Sequence, residues 1–150
     1  ALKAPKMAAE FAEEYRKKSA AVEELQKARI GVFATLMKHR SEILAPDARA
    51  AINLVDVVFS DVAEVRDARR RFIEATAQRN YNAETIVERY YSLIEAVARA
   101  TPYAGSIGSF DVRSGYYPEA MAKLDQALIL EAEEKISRRA LAQQTRPLGP

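Results

Sequence analysis

Hydrophobic positions along the first third of the chain fall at the spacing of a helix face. From Met7 to about Leu44 there is no proline and only one glycine, Gly31, in a run dominated by Ala, Glu, Lys, Leu, Gln and Arg. Val22, Leu25, Val32, Leu36 and Ile43 recur at spacings of three, four and seven. Arg29 and His39 interrupt this heptad-like stripe, so it is not a strict coiled-coil seam. A second stripe, Ile30, Phe33, Met37 and Leu44, appears only in the later half. The difference predicts a long helix packed on a broad face over its last turns, while its first half projects or meets a partner. A helix over residues 7–44 would be about 57 Å long, more than a domain of this size needs.

Pro46 stops that helix and suits the first turn of the next, predicted to run to Phe59. This second segment is apolar nearly all round, except for a line formed by Arg49, Asn53, Asp56 and Ser60. Its Val55, Val57 and Val58 would suit a strand, but the helical spacing of the polar line favours a helix, and the segment reads as the most buried of the chain. Ser60 or Asp61 is the expected cap of a third helix, with Val62, Val65, Ala68 or Arg69, Phe72 and Ile73 on its face and an end near Asn80. Asn82 is placed to cap a fourth, where Ile86, Tyr90, Leu93, Ile94 and Val97 make a clean helical stripe ending before Pro102. Residues 102–118 hold three glycines, terminal prolines and four aromatics, a structured loop with an extended piece expected at 107–112. Pro118 opens a last helix with Met121, Leu124, Leu128, Ala132 and Ile136 on one face. The expected fold is all-α: about five helices in a single irregular bundle. Residues 1–29 would form the projecting basic part of the long helix, 30–142 the core and 143–150 a flexible tail.

Composition narrows the chemistry. At 150 residues the chain can bury a core without a metal or disulfide. The absence of cysteine excludes thiolate catalysis and zinc sites built on sulfur. Residues 1–40 carry nine Lys/Arg against five acids, so the net +2 of the whole chain conceals a basic N-terminal arm, the kind of arm that faces anionic lipid or nucleic acid when it is not simply solvated. No stretch approaches the eighteen or so apolar residues of a membrane span. The chain opens on Ala1 rather than methionine, as it would after removal of an initiator or in a fragment lacking its natural N-terminus.

Of the polar groups, Arg40, Arg49, Asn53 and Asp56 stand out. On so apolar a helix Asn53 and Asp56 are expected to reach the interior, where a carboxylate needs a partner; Arg40, Arg66, Arg69 and Arg70 are available. The cluster reads first as an internal polar clamp, with an exposed interaction line and a ligand site built on Asp56 as the alternatives. His39 is the only histidine, and no His-x-x-x-His or Glu-x-x-His pairing accompanies it, so neither a metal nor a cofactor is expected. The loop glycines match no nucleotide-binding fingerprint. Arg69, Arg70 and Arg71 splay around a helix beside Asp67 and Glu74, a salt-bridged surface rather than a phosphate or nucleic-acid grip. Tyr103, Phe110, Asp111, Arg113, Tyr116 and Tyr117 make the loop a candidate recognition surface.

The run Phe33-Ala34-Thr35-Leu36-Met37-Lys38-His39-Arg40, the run Ala50 to Phe59, Val65-Arg66-Asp67-Ala68 and Gly115-Tyr116-Tyr117-Pro118 together resemble a widespread family of small prokaryotic helical proteins of unknown function, over roughly residues 30–140. The resemblance singles out Arg40, Asn53, Asp56, Tyr117 and Pro118, and departs at His39 and in a longer loop before Tyr116. It implies an N-terminal membrane anchor ahead of a charged helix, hence a cytoplasmic place at the inner membrane face, and supplies no activity. The combined expectation is a non-catalytic protein–protein interaction or structural module that self-associates or binds a protein partner. The alternative is a small-ligand or enzymatic domain using Arg40, Asn53 and Asp56.

Overall fold

Pro46, the Asn82 cap and Pro118 divide the chain into helices much as the spacing predicts. The computed structural model describes residues 3–116 and 118–145. Among these it shows six helices and no strand: α1 Lys3–Lys38, α2 Pro46–Val58, α3 Ala63–Ala77, α4 Ala83–Arg99, α5 Ser109–Arg113 and α6 Glu119–Gln144. The architecture is an all-α bundle. The chain divides into two compact units, Ala1–Gly115 with α1–α5 and Tyr116–Pro150 with α6.

Pro5 lies in the first turn of α1, where a missing N–H costs no helical hydrogen bond, so the helix begins before Met7. It ends at Lys38 rather than near Leu44. Beyond that point the backbone tightens into i to i+3 bonds, Arg40 N to Met37 O, Glu42 N to His39 O and Ala45 N to Glu42 O. Ala45 is then extended at ψ 140°, as a residue before proline must be.

Pro46 opens α2 as expected, and Ala48, Ala51, Ile52 and Val55 turn inward with Phe59 just past its end. Leu54 and Val57, however, are 51% and 72% exposed. A thirteen-residue helix packed on one side leaves its other side in water whatever its composition, so α2 is not the most buried segment. That place belongs to α4, with Tyr90, Leu93, Ile94, Ala96, Val97 and Ala98 buried. Asn82 caps α4 as predicted, its side chain accepting from Thr85 N at 3.0 Å.

The start of α3 differs from expectation. Neither Ser60 nor Asp61 caps it; Val62 occupies the cap position without a side-chain bond, and Asp61 is drawn away by an arginine of α1. The buried face of α3 is Val65, Ala68, Phe72 and Ala75, Ile73 falls outside it, and the helix stops at Ala77 rather than near Asn80. The stretch 107–112, expected to hold an extended piece, is mostly helical. Gly108 is extended, but its N–H donates to Asp111 Oδ2 at 2.8 Å, which closes the first turn of α5 and buries Val112.

Tyr90 ties α4 to α1. The residue is fully buried, its hydroxyl donates to Leu36 O at 3.1 Å, and its ring lies tilted on Phe72 at 5.7 Å. Burial pushes its phenol well above the ordinary range, so it stays protonated and donating.

In the second unit, α6 follows Pro118 as its N-cap, and none of its residues is buried. Met121, Leu124, Leu128 and Ile136 are 46–66% exposed. Its charges pair along the helix, Lys123 with Glu119, Lys135 with Glu131 and Arg138 with Glu134.

Tyr90→Phe keeps the ring and deletes the only donor to a buried carbonyl lone pair. Urea unfolding is expected to show a loss of about 1–2 kcal/mol, with the helical circular-dichroism signal unchanged; a neutral substitution would mean that Leu36 O is satisfied without the hydroxyl.

Candidate functional site

Four junctions between consecutive helices of the first unit each carry an arginine. Arg29 of α1 donates from Nε to Val58 O at 3.1 Å, pairs with Asp61, and lies 5.3 Å over the Phe59 ring, all at the C-terminal end of α2. A guanidinium there satisfies a carbonyl that the helix leaves open and meets the negative end of its dipole. Arg69 of α3 donates from Nε to Ile52 O at 2.8 Å and from Nη1 to Asp56 Oδ2 at 2.6 Å, joining α2 to α3. Arg99 of α4 grips Glu64 of α3 through Nε at 2.9 Å and Nη2 at 2.5 Å. Arg113 of α5 pairs with Glu88 at 2.5 Å and Glu95 at 3.7 Å on α4, and lies 5.2 Å over Tyr91. Arg29 was read from sequence as an interruption of an apolar stripe; the stretch of methylenes that lets an arginine cross a helix contact leaves no periodic signal.

The predicted polar cluster is only partly assembled. Asp56 meets Arg69, and Arg66 at 3.8 Å, with its side chain 43% exposed. Asn53 and Arg49 are exposed, so the expectation that Asn53 and Asp56 reach the interior does not hold; the face of α2 that carries them points to water with Leu54 and Val57. Arg40 turns elsewhere, donating to Met37 O at 2.8 Å and toward Ser114 O at 3.4 Å, and its Nε is buried without a partner. An open groove of about 490 Å³ borders Asp56, but its other walls are Ala63, Arg66, Asp67, Arg69, Arg70, Ile73 and Glu74, not Arg40 or Asn53. Arg70 is occupied there by Asp67 at 3.0 Å and Glu74 at 3.9 Å.

His39 stands 3.9 Å from Glu42 and 3.8 Å from Asp47, too far for hydrogen bonds, and its Nε2 is buried without a partner. It closes one end of a shallow groove of about 440 Å³ between α1 and α2, floored by small residues such as Ala28, Gly31, Ala50 and Ala51. Among the described residues no group of three or more His, Cys, Asp or Glu is placed to hold a metal ion.

The predicted recognition loop is largely committed to structure. Asp111 closes the first turn of α5, Arg113 is held by α4, and Tyr103 stacks on Phe33 at 5.4 Å. Phe110 and Tyr116 are 81% and 88% exposed. Tyr117 lies outside the described residues.

A row of large, exposed apolar side chains lies on the first half of α1. Two interleaved heptad series run along one face: Phe11, Lys18, Leu25, Val32, and Tyr15, Val22, Arg29, Leu36. Leu36 and Val32 are buried in the core at 0% and 5%. Going outward, exposure climbs to 40% at Leu25, 65% at Val22, 70% at Tyr15 and 74% at Phe11. The same seam that packs the core continues into water for some four turns. The charges of this segment pair along the helix: Glu13 with Arg16 and Lys17, Glu14 with Lys18, Glu24 with Lys27. Among the described residues no helix is long and apolar enough to cross a membrane.

Residues 4–146 match DUF6680, a family of unknown function, and the chain belongs to that family. The match takes in the exposed part of α1 as well as α6. No curated protein and no solved structure matches the chain.

The Arg69–Asp56 contact is half open to solvent, which weakens it. A double-mutant cycle with Asp56→Ala and Arg69→Ala is expected to give a coupling of about 0.5–1 kcal/mol in low salt that shrinks as salt is added. A coupling of several kcal/mol, insensitive to salt, would show a buried pair instead.

Proposed function

We propose that this member of the DUF6680 family is a non-catalytic helical interaction module whose working surface is the exposed seam on the first half of α1. What carries the reading is the continuity of that seam with the core: Phe11, Tyr15, Val22 and Leu25 occupy the heptad positions that Val32 and Leu36 use for packing. A row of large apolar side chains in water is unfavourable by roughly 25 cal/mol per Å², and such rows mark surfaces that another element covers. The arginines, which are the obvious chemical groups of the fold, support the same reading, since those at the junctions hold helices together.

The setting that fits this surface is the cytoplasmic face of a prokaryotic membrane. The nine Lys/Arg against five acids over residues 1–40 favour an anionic neighbour.

Deleting residues 1–25 is expected to leave the α2–α5 core folded, because the contacts of α1 with that core begin near Arg29 and its buried residues at Val32. The shortened chain should keep a cooperative thermal transition within a few degrees of the full chain and lose association or partner binding. Unchanged association after the deletion would sink the proposal. Sedimentation with vesicles of anionic and of neutral lipid tests the setting; equal binding to both, or none to either, would remove it.

A further inference from the structure

We infer that the occupant of the α1 seam is the same segment of a second copy of this chain, paired antiparallel so that residue i lies opposite residue 33 − i. The inference rests on the interaction reading above and adds the partner and the register.

Three observations meet on this pairing. The first is the heptad phase. In an antiparallel pair the two series face one another, and a sum of 33 places Phe11 opposite the partner's Val22, Ala8 opposite the partner's Leu25, and Tyr15 opposite the partner's Lys18. Phe11 and Val22 then pack on one another, while Leu25 packs on Ala8 and Tyr15 on the stem of Lys18.

The second is the length of bare helix. The end of α2 reaches α1 at Arg29, whose Nε holds Val58 O, so a partner helix can lie along α1 only up to Ala28. Residue 28 would face residue 5 of the partner, just inside the start of α1 at Lys3. The free segment is therefore as long as the register needs, and no shorter.

The third is what flanks the seam. Ala12, Ser19, Ala21 and Ala28 stand beside it and let two backbones approach, while Glu13, Arg16, Lys17, Glu24 and Lys27 stand on the outer side and pair along their own helix. Lys18 is the one charge in the seam between Phe11 and Leu25. Its ammonium lies 2.9 Å from Glu14 Oε1, and in the central layer its stem covers the partner's Tyr15 ring while the charge meets the ring face or stays with Glu14. A single polar residue in such a seam disfavours other registers. Taking about 150 Å² for each buried aromatic, Phe11 and Tyr15 give roughly 300 Å² per copy, and with Val22 and Leu25 the two copies approach roughly 1,000 Å², the low end for a biological interface.

The chain has no cysteine, so introduced thiols report without background. Phe11→Cys and Val22→Cys, both at exposed positions, are prepared in the full chain, and each is treated with a short thiol-to-thiol cross-linker alone and as an equal mixture. In the proposed register position 11 lies beside position 22 of the partner, whereas each position is about 16 Å along the axis from its own copy. The mixture is expected to give covalent dimer and each variant alone almost none, with light scattering showing twice the chain mass for the wild type. Dimer formed by Phe11→Cys alone would overturn the antiparallel register. A wild-type chain of single mass from micromolar upward, with no cross-linked product, would overturn the second copy as occupant. The broader reading then fails separately, if deletion of residues 1–25 removes no binding to any partner.

Discussion

A hydroxyl that must leave water decides where much of this fold goes. Tyr90 sits at the middle of the most buried face, and its ring cannot be packed there unless the phenol finds an acceptor. It finds Leu36 O, which fixes the last turns of α1 against α4. Phe72 lies on the same ring and brings α3 to the opposite side. Val112 of α5 is buried in the same core. Each contact is ordinary taken alone; together they make α4 the element against which α1, α3 and α5 are placed.

The remaining problem is a small core rich in alanine, which gives little grip at helix ends. Long guanidinium side chains supply it: Arg29 between α1 and α2, Arg69 between α2 and α3, Arg99 between α4 and α3, Arg113 between α5 and α4. Each reaches across a junction and ends on a carboxylate, a carbonyl or both. Arginine suits this because its fork stays charged and accepts two partners at once. The charged residues that look like candidate chemistry in the sequence are, at these four places, the joints of the bundle.

How legible this was depends on which signal each residue carries. Asn82, Pro46 and the stripe of α4 act locally, through a cap bond, a fixed φ and a helical period, and the sequence states them directly. The burial of α2 does not follow from its own residues, because which side is covered depends on how many neighbours a thirteen-residue helix has; Leu54 and Val57 are as apolar as Ile52 and Val55 yet lie in water. Asp56 had four plausible arginine partners, and only the three-dimensional path of α3 selects Arg69 with Arg66. The turn at α5 had a readable mark, an Asp three residues after Gly108, which a glycine-rich setting disguised. The exposed seam was half visible: Val22 and Leu25 stood in the pattern, but Phe11 and Tyr15 joined it only once the burial of Val32 and Leu36 fixed the phase.

Arg29 marks the point where α1 leaves the core, and this gives the helix a mechanical character. Some twenty-five residues lie beyond that fulcrum and about ten within it. A sideways load at Phe11 turns the helix about Arg29, and the bonds nearest that pivot are those to Val58 O and Asp61. Whatever pulls on the free end is felt first at the turn between α2 and α3.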